Sequence, residues 1–81
     1  MAFIRLLNGH RGKQHSYIVE LKYSKEGASD AELAAKAEDG IRKLRQYAAD
    51  PFVPELAKDT TLHLILYQFK GTELVRLEEI P

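Results

Sequence analysis

Eighty-one residues bound the chain to one small domain that buries at best about 60% of its unfolded surface, which leaves no second core. A hydrophobic share of 44% beside 30% charged residues excludes the apolar-poor composition of a disordered chain. Twelve Lys and Arg against twelve Asp and Glu give no support to a general polyanion binder, and the lack of cysteine excludes a disulfide framework, a thiol nucleophile and a thiolate zinc site. Residues 1–7 are too short for a signal-peptide apolar region, and no stretch reaches the ~20 apolar residues of a membrane span. The expectation is a soluble cytoplasmic protein with no membrane partner.

Residues 2–7 are apolar apart from Arg5 and end in Asn8-Gly9, a dipeptide that supplies positive φ for a turn, so they predict a strand entering a hairpin. Residues 8–15 are polar and basic and read as a loop. From Ser16 to Tyr23 the alternation is strict: Tyr17, Val19, Leu21 and Tyr23 share one face of a strand, and Ile18, Glu20 and Lys22 share the other. Ser29-Asp30-Ala31-Glu32 has the form of a capping box, which starts a helix near Asp30. Leu33, Ala37, Ile41, Leu44 and Ala48 then recur at helical spacing and form one stripe to pack on a sheet. Gly40 weakens that helix by about 1 kcal/mol relative to Ala, and Pro51 ends it near Asp50.

Residues 51–58 hold two prolines and predict a short helical turn capped by Asp50. Residues 60–69 are β-branched, aromatic and apolar on both faces, as a central strand covered on each side would be. Lys70-Gly71-Thr72 reads as a turn, and residues 73–80 as an edge strand. The fold class is therefore α/β: a small mixed open sheet in the order β-β-α-β-β with one long crossover helix. One sheet face is left with little to cover it, so a homodimer, or a larger protein supplying a missing part, is the expected partner.

The chemistry centres on Glu20 and Lys22, whose i, i+2 spacing aims a carboxylate and an ammonium the same way. Read plainly, this is a surface ion pair worth about 0–1 kcal/mol. Its place after Tyr17-Ile18-Val19, inside a strand, favours a rigidly held pair instead. The run Tyr17-Ile18-Val19-Glu20-Leu21-Lys22-Tyr23, the Ala- and Glu-rich helix ending Lys43-Leu44-Arg45-Gln46-Tyr47, and the strands Leu62-His63-Leu64-Ile65-Leu66 and Phe69-Lys70-Gly71-Thr72-Glu73-Leu74 follow in order. Together they resemble the PD-(D/E)XK nuclease superfamily, and within it the nuclease-like domain at the C-terminus of bacterial AAA-ATPase-like proteins, abundant in Bacteroides-type genomes.

The resemblance implies catalytic roles for Glu20, a ligand of Mg²⁺, and for Lys22, which positions the attacking water. It further implies a supporting Gln shortly before a Tyr on the helix. Tyr47 matches the latter, and Lys43 and Gln46 compete for the former. Hard cations prefer carboxylate oxygens, and bound metal supplies both nucleophile and charge stabilisation.

The departure lies upstream. Residues 1–19 contain neither Asp nor Glu, so the strand that carries the metal-binding Asp in the superfamily offers Arg5 here. Asn8, His10 and His15 are the neutral donors nearby, and histidine suits softer ions. Arg5, Arg11 and Lys13 are either solvated surface or contacts to the phosphates of DNA. His63 reads as a half-buried structural residue. The family's first helix and strand are not matched before Met1. The expectation is a degenerate or truncated nuclease whose metal-dependent DNA cleavage is in doubt. The alternative is a non-catalytic self-association or protein-interaction module.

Overall fold

The computed structural model describes the strand Ala2–Leu6 and residues 14–81. Its elements are β1 (Ala2–Leu6), β2 (Gln14–Ser24), α1 (Asp30–Ala48), α2 (Phe52–Leu56), β3 (Thr60–Lys70) and β4 (Glu73–Ile80). The β-β-α-β-β order holds, with α2 as the short turn expected after Pro51. Phe52 N–H donates to the Asp50 carboxylate at 2.9 Å, so Asp50 caps that turn as its sequence position suggests. At the start of α1, Glu32 N–H donates to Ser29 Oγ at 3.1 Å, the Ser half of the capping box.

The four strands stand in the order β1-β2-β3-β4, with β1 antiparallel to β2, β2 parallel to β3, and β3 antiparallel to β4. Two parallel neighbours cannot be joined by a hairpin, and α1 provides the crossover. β2 begins at Gln14, earlier than the alternation from Ser16 predicts, which moves His15 out of the loop and into the ladder opposite Thr61. Pairing with β3 supplies the backbone partners that make those two extra residues strand.

The crossover covers one sheet face only. Ile18, Leu64, Leu66 and Ile80 from the sheet, Ala37 and Leu44 from α1, and Val53 from α2 form the core, with Ile41, Tyr47, Ala48 and Leu62 packed around it. Burying Leu44 and Leu66 completely contributes about 1.5–3 kcal/mol for each side chain. Two polar clamps hold the first half of α1 to the sheet: Gln68 Nε2 donates to the Leu33 carbonyl at 2.6 Å, and the Lys36 ammonium donates to the Tyr23 carbonyl.

On the other face, no described element covers Tyr17, Leu21, Tyr23, Ile65, Tyr67 or Leu77, and Tyr23 and Leu77 are more than half exposed. β3 is therefore interior in the sheet but covered by the described residues on one side, not on both as its composition predicts. A register shift between Gln68 and Phe69 breaks the ladder to β4 near the hairpin end. Gly71, at φ 59, makes the turn there, and its N–H donates to the Ser24 carbonyl at 2.8 Å.

Candidate functional site

The alternation of β2 aims Ser16, Ile18, Glu20, Lys22 and Ser24 at α1, while Leu21 and Tyr23 point to the open face. Glu20 is 6% exposed, so the strand carries its carboxylate into the layer between sheet and helix. One of its oxygens, Oε2, is buried and has no hydrogen-bond partner among the described residues. A buried carboxylate oxygen of this kind is costly in a low-dielectric interior unless a water, a ligand or another side chain meets it.

Lys22 reaches out from under the helix, and Gly40 makes the passage. A Cβ at position 40 would stand 2.7 Å from Leu66 Cδ1 and 3.3 Å from Lys22 Cγ. The glycine that weakens an isolated helix is thus what lets α1 lie against β2 and β3 here. Emerging beside it, Lys22 Nζ donates to Asp39 Oδ2 at 2.7 Å. Arg42 pairs with Asp39 Oδ1, and Lys43 Nζ lies 3.4 Å from Oδ2. The Lys22 hydrogen bond, followed by that of Arg42, holds the Asp39 carboxyl well below the usual carboxylate range. The bond from Asp39 likewise raises the Lys22 ammonium, against the opposing effect of burial, and the charge of Glu20 adds in the same direction.

Asp39 is the residue that sequence reasoning missed, because the superfamily pattern places its second carboxylate upstream of Glu20, whereas Asp39 lies downstream on α1. Its neighbours carry a signal: Asp39, Arg42 and Lys43 are spaced i, i+3 and i+4 just before and after the one glycine of the helix. Of the residues competing for the helical Gln position, Lys43 joins the cluster. Gln46 lies on the exposed outer side of α1, in a shallow depression with Glu38, Ile41 and Arg45. Tyr47 packs against the core. Arg5 is described by its backbone alone, paired with Ser16, and Asn8, His10, Arg11 and Lys13 lie outside the described residues.

A model of one protein family matches residues 2–79, nearly the whole chain: the PD-(D/E)XK nuclease superfamily. The chain belongs to this superfamily. No curated protein and no solved structure gives a significant match. Glu20 and Lys22, which by resemblance correspond to the Glu-x-Lys pair, both lie on the helix-covered face of β2. No helix among the described residues is long and apolar enough to cross a membrane.

The donor set does not fit a magnesium ion as it stands. Glu20 offers a buried free oxygen, but both oxygens of Asp39 are engaged by cations, and among the described residues no three His, Cys, Asp or Glu gather in a way that could hold a metal. Three cationic side chains against two carboxylates leave the cluster net positive, which repels a second cation and attracts an anion.

Proposed function

We propose that this chain is a degenerate PD-(D/E)XK nuclease domain that does not cleave DNA on its own and works as a self-associating module. The observation behind this reading is the Lys22–Asp39 bond at 2.7 Å. It commits the lysine that would assist attack and also Asp39, the carboxylate that Lys22 ties to the strand carrying Glu20. A superfamily member with no acid in residues 1–19 needs such a carboxylate to hold its metal.

The open sheet face is the seat for a second copy. Strands of five, eleven, eleven and eight residues at ~3.3 Å rise and ~4.8 Å spacing project roughly 550 Å², and side-chain relief brings the accessible area toward the ~800 Å² per partner of a standard interface. Two aromatic stacks give it rigid relief: Tyr23 on Phe69 at 5.2 Å and Tyr17 on His63 at 4.9 Å.

A DNA-cleavage assay with Mg²⁺ and with Mn²⁺, paired with calorimetric titration of both ions, tests the loss of activity. No cleavage and no saturable magnesium binding are expected. Metal-dependent cleavage by the wild type that disappears in Glu20→Ala would overturn this reading. Sedimentation over a concentration series tests association: a dimer is expected, and Leu21→Lys with Leu77→Lys should return a folded monomer. A wild type that stays monomeric at high concentration would sink the module.

The orphan oxygen of Glu20 favours a second reading, in which a larger protein, of the AAA-ATPase-associated kind the sequence resembles, supplies the missing carboxylate and completes a magnesium site. Cleavage would then require the larger protein and would still depend on Glu20.

A further inference from the structure

The open face carries a polar group that its apolar surface does not account for. His15 Nδ1 and His63 Nε2 lie 2.8 Å apart, and His63 Nδ1 is 3.1 Å from Glu79 Oε1. A carboxylate only accepts, so His63 Nδ1–H donates to Glu79, and Nε2 of the neutral ring accepts from His15 Nδ1–H. Both histidines are half-buried, whereas Glu79 is exposed. Strand register brings them together, because Tyr17 pairs with His63 and His15 with Thr61 across the parallel β2–β3 ladder. From β1, Leu6 stands in register with His15 and Ile4 with Tyr17, and neither titrates. The titratable groups that meet the pair are Tyr17 of β2, whose ring stacks on His63 at 4.9 Å, and Glu79 of β4.

We infer that His15, His63 and Glu79 form a proton-sensitive switch on the self-association of this face, which admits a second copy at neutral pH and rejects it in mild acid. The inference rests on the self-association proposed above. Histidine is the side chain whose charge ordinarily changes between pH 5 and 8. The pair keeps its bond through a first proton, because one hydrogen still lies between the facing nitrogens, and that charge balances Glu79. A second proton puts hydrogen on both His15 Nδ1 and His63 Nε2. Two donors at 2.8 Å repel each other, and the three side chains together turn net positive. The Tyr17 ring, 19° from parallel, holds the plane of His63, so relief comes from His15 swinging off the sheet into the space that a second copy fills. Closing two copies over this face also strips water from the rings, which favours their uncharged form. The dimer thus binds fewer protons than two free chains. By linkage its association weakens as pH falls, by up to about tenfold per pH unit for each proton excluded.

The test is sedimentation of the untagged full chain over a concentration series at pH 8 and at pH 5, with circular dichroism confirming the fold at each. The wild type is expected to pair at pH 8 and to lose at least about tenfold in association constant by pH 5. The double variant of His15→Gln with His63→Gln, whose amides still hydrogen-bond but take up no proton, should pair almost equally at both. Because His10 remains in that variant, a flat profile also discounts it. His15→Gln alone removes one of the two facing donors and leaves Tyr17 stacked on His63, so it should flatten the profile as well. If the double variant fails to pair at pH 8, the single variant decides. A wild type that pairs equally tightly at both pH values, or variants whose association falls as steeply as the wild type's, would rule out the switch and leave self-association standing. A wild type that stays monomeric at pH 8 overturns both.

Discussion

The two faces of the sheet invert the ordinary division of labour. The face under α1 carries Glu20, Lys22 and Gln68 among its apolar residues, while the face toward solvent presents Tyr17, Leu21, Tyr23, Tyr67 and Leu77. The helix buries Ile18, Leu64, Leu66 and Ile80, yet it leaves the large apolar side chains of the second set in the open. Placing α1 over the charges instead brings Asp39 to Lys22, and leaves an aromatic surface for a partner. In the proposed reading the covered face carries the ancestral site and the open face carries assembly.

Substitutions can break that contrast, and the largest effect is expected at its centre. Leu66→Ala removes a completely buried side chain beneath the helix and should cost about 2–5 kcal/mol in urea unfolding. Gly40→Val, forced against Leu66 and Lys22, should cost about 1–3 kcal/mol and loosen the Lys22–Asp39 contact along with the core. If it were neutral, the close approach of α1 would not be what places the cluster.

The Asp39 carboxyl sharpens the comparison through pH. Its folded pKa is depressed, so its contribution is fully present above the unfolded value of about 3.9 and is lost as pH falls through the lower folded value. Lys22 works in the opposite sense: its raised folded pKa gives stability that is present below 10.5 and lost as pH rises through the folded value. Urea midpoints measured from pH 2 to 7 should therefore fall toward acid more steeply for the wild type than for Asp39→Asn. Equal slopes would remove Asp39 from the account. The smallest effect belongs to the open face, where Leu77→Ala, at 57% exposure, should move the stability of the monomer by no more than about 0.5 kcal/mol.

Much of this architecture was legible in the residues. The Ser29 cap, the end of the helix before Pro51 and the two faces of β2 follow from local chemistry, as does the order of elements. Alternation defines two faces but does not say which one a distant helix will cover, and in β2 the more apolar set, Tyr17, Val19, Leu21 and Tyr23, is the uncovered one. Asp39 and Lys22 meet because of how closely α1 approaches the sheet, a tertiary consequence of Gly40 that a propensity scale registers only as a weakness. The pairing of His15 with His63 was hidden for a related reason. Parallel strands have no turn to set their register, and the two residues are 48 positions apart.

The register shift between Gln68 and Phe69 also limits how copies of this chain can meet. A bulge twists the outer strand away from the flat, evenly spaced backbone that another strand would need as a template. Glu73, Arg76, Glu78 and Glu79 line the same strand with charge. Growth along the β4 edge into an endless ribbon is thereby discouraged, so the self-association proposed for the aromatic face would close at two copies rather than continue as a fibre.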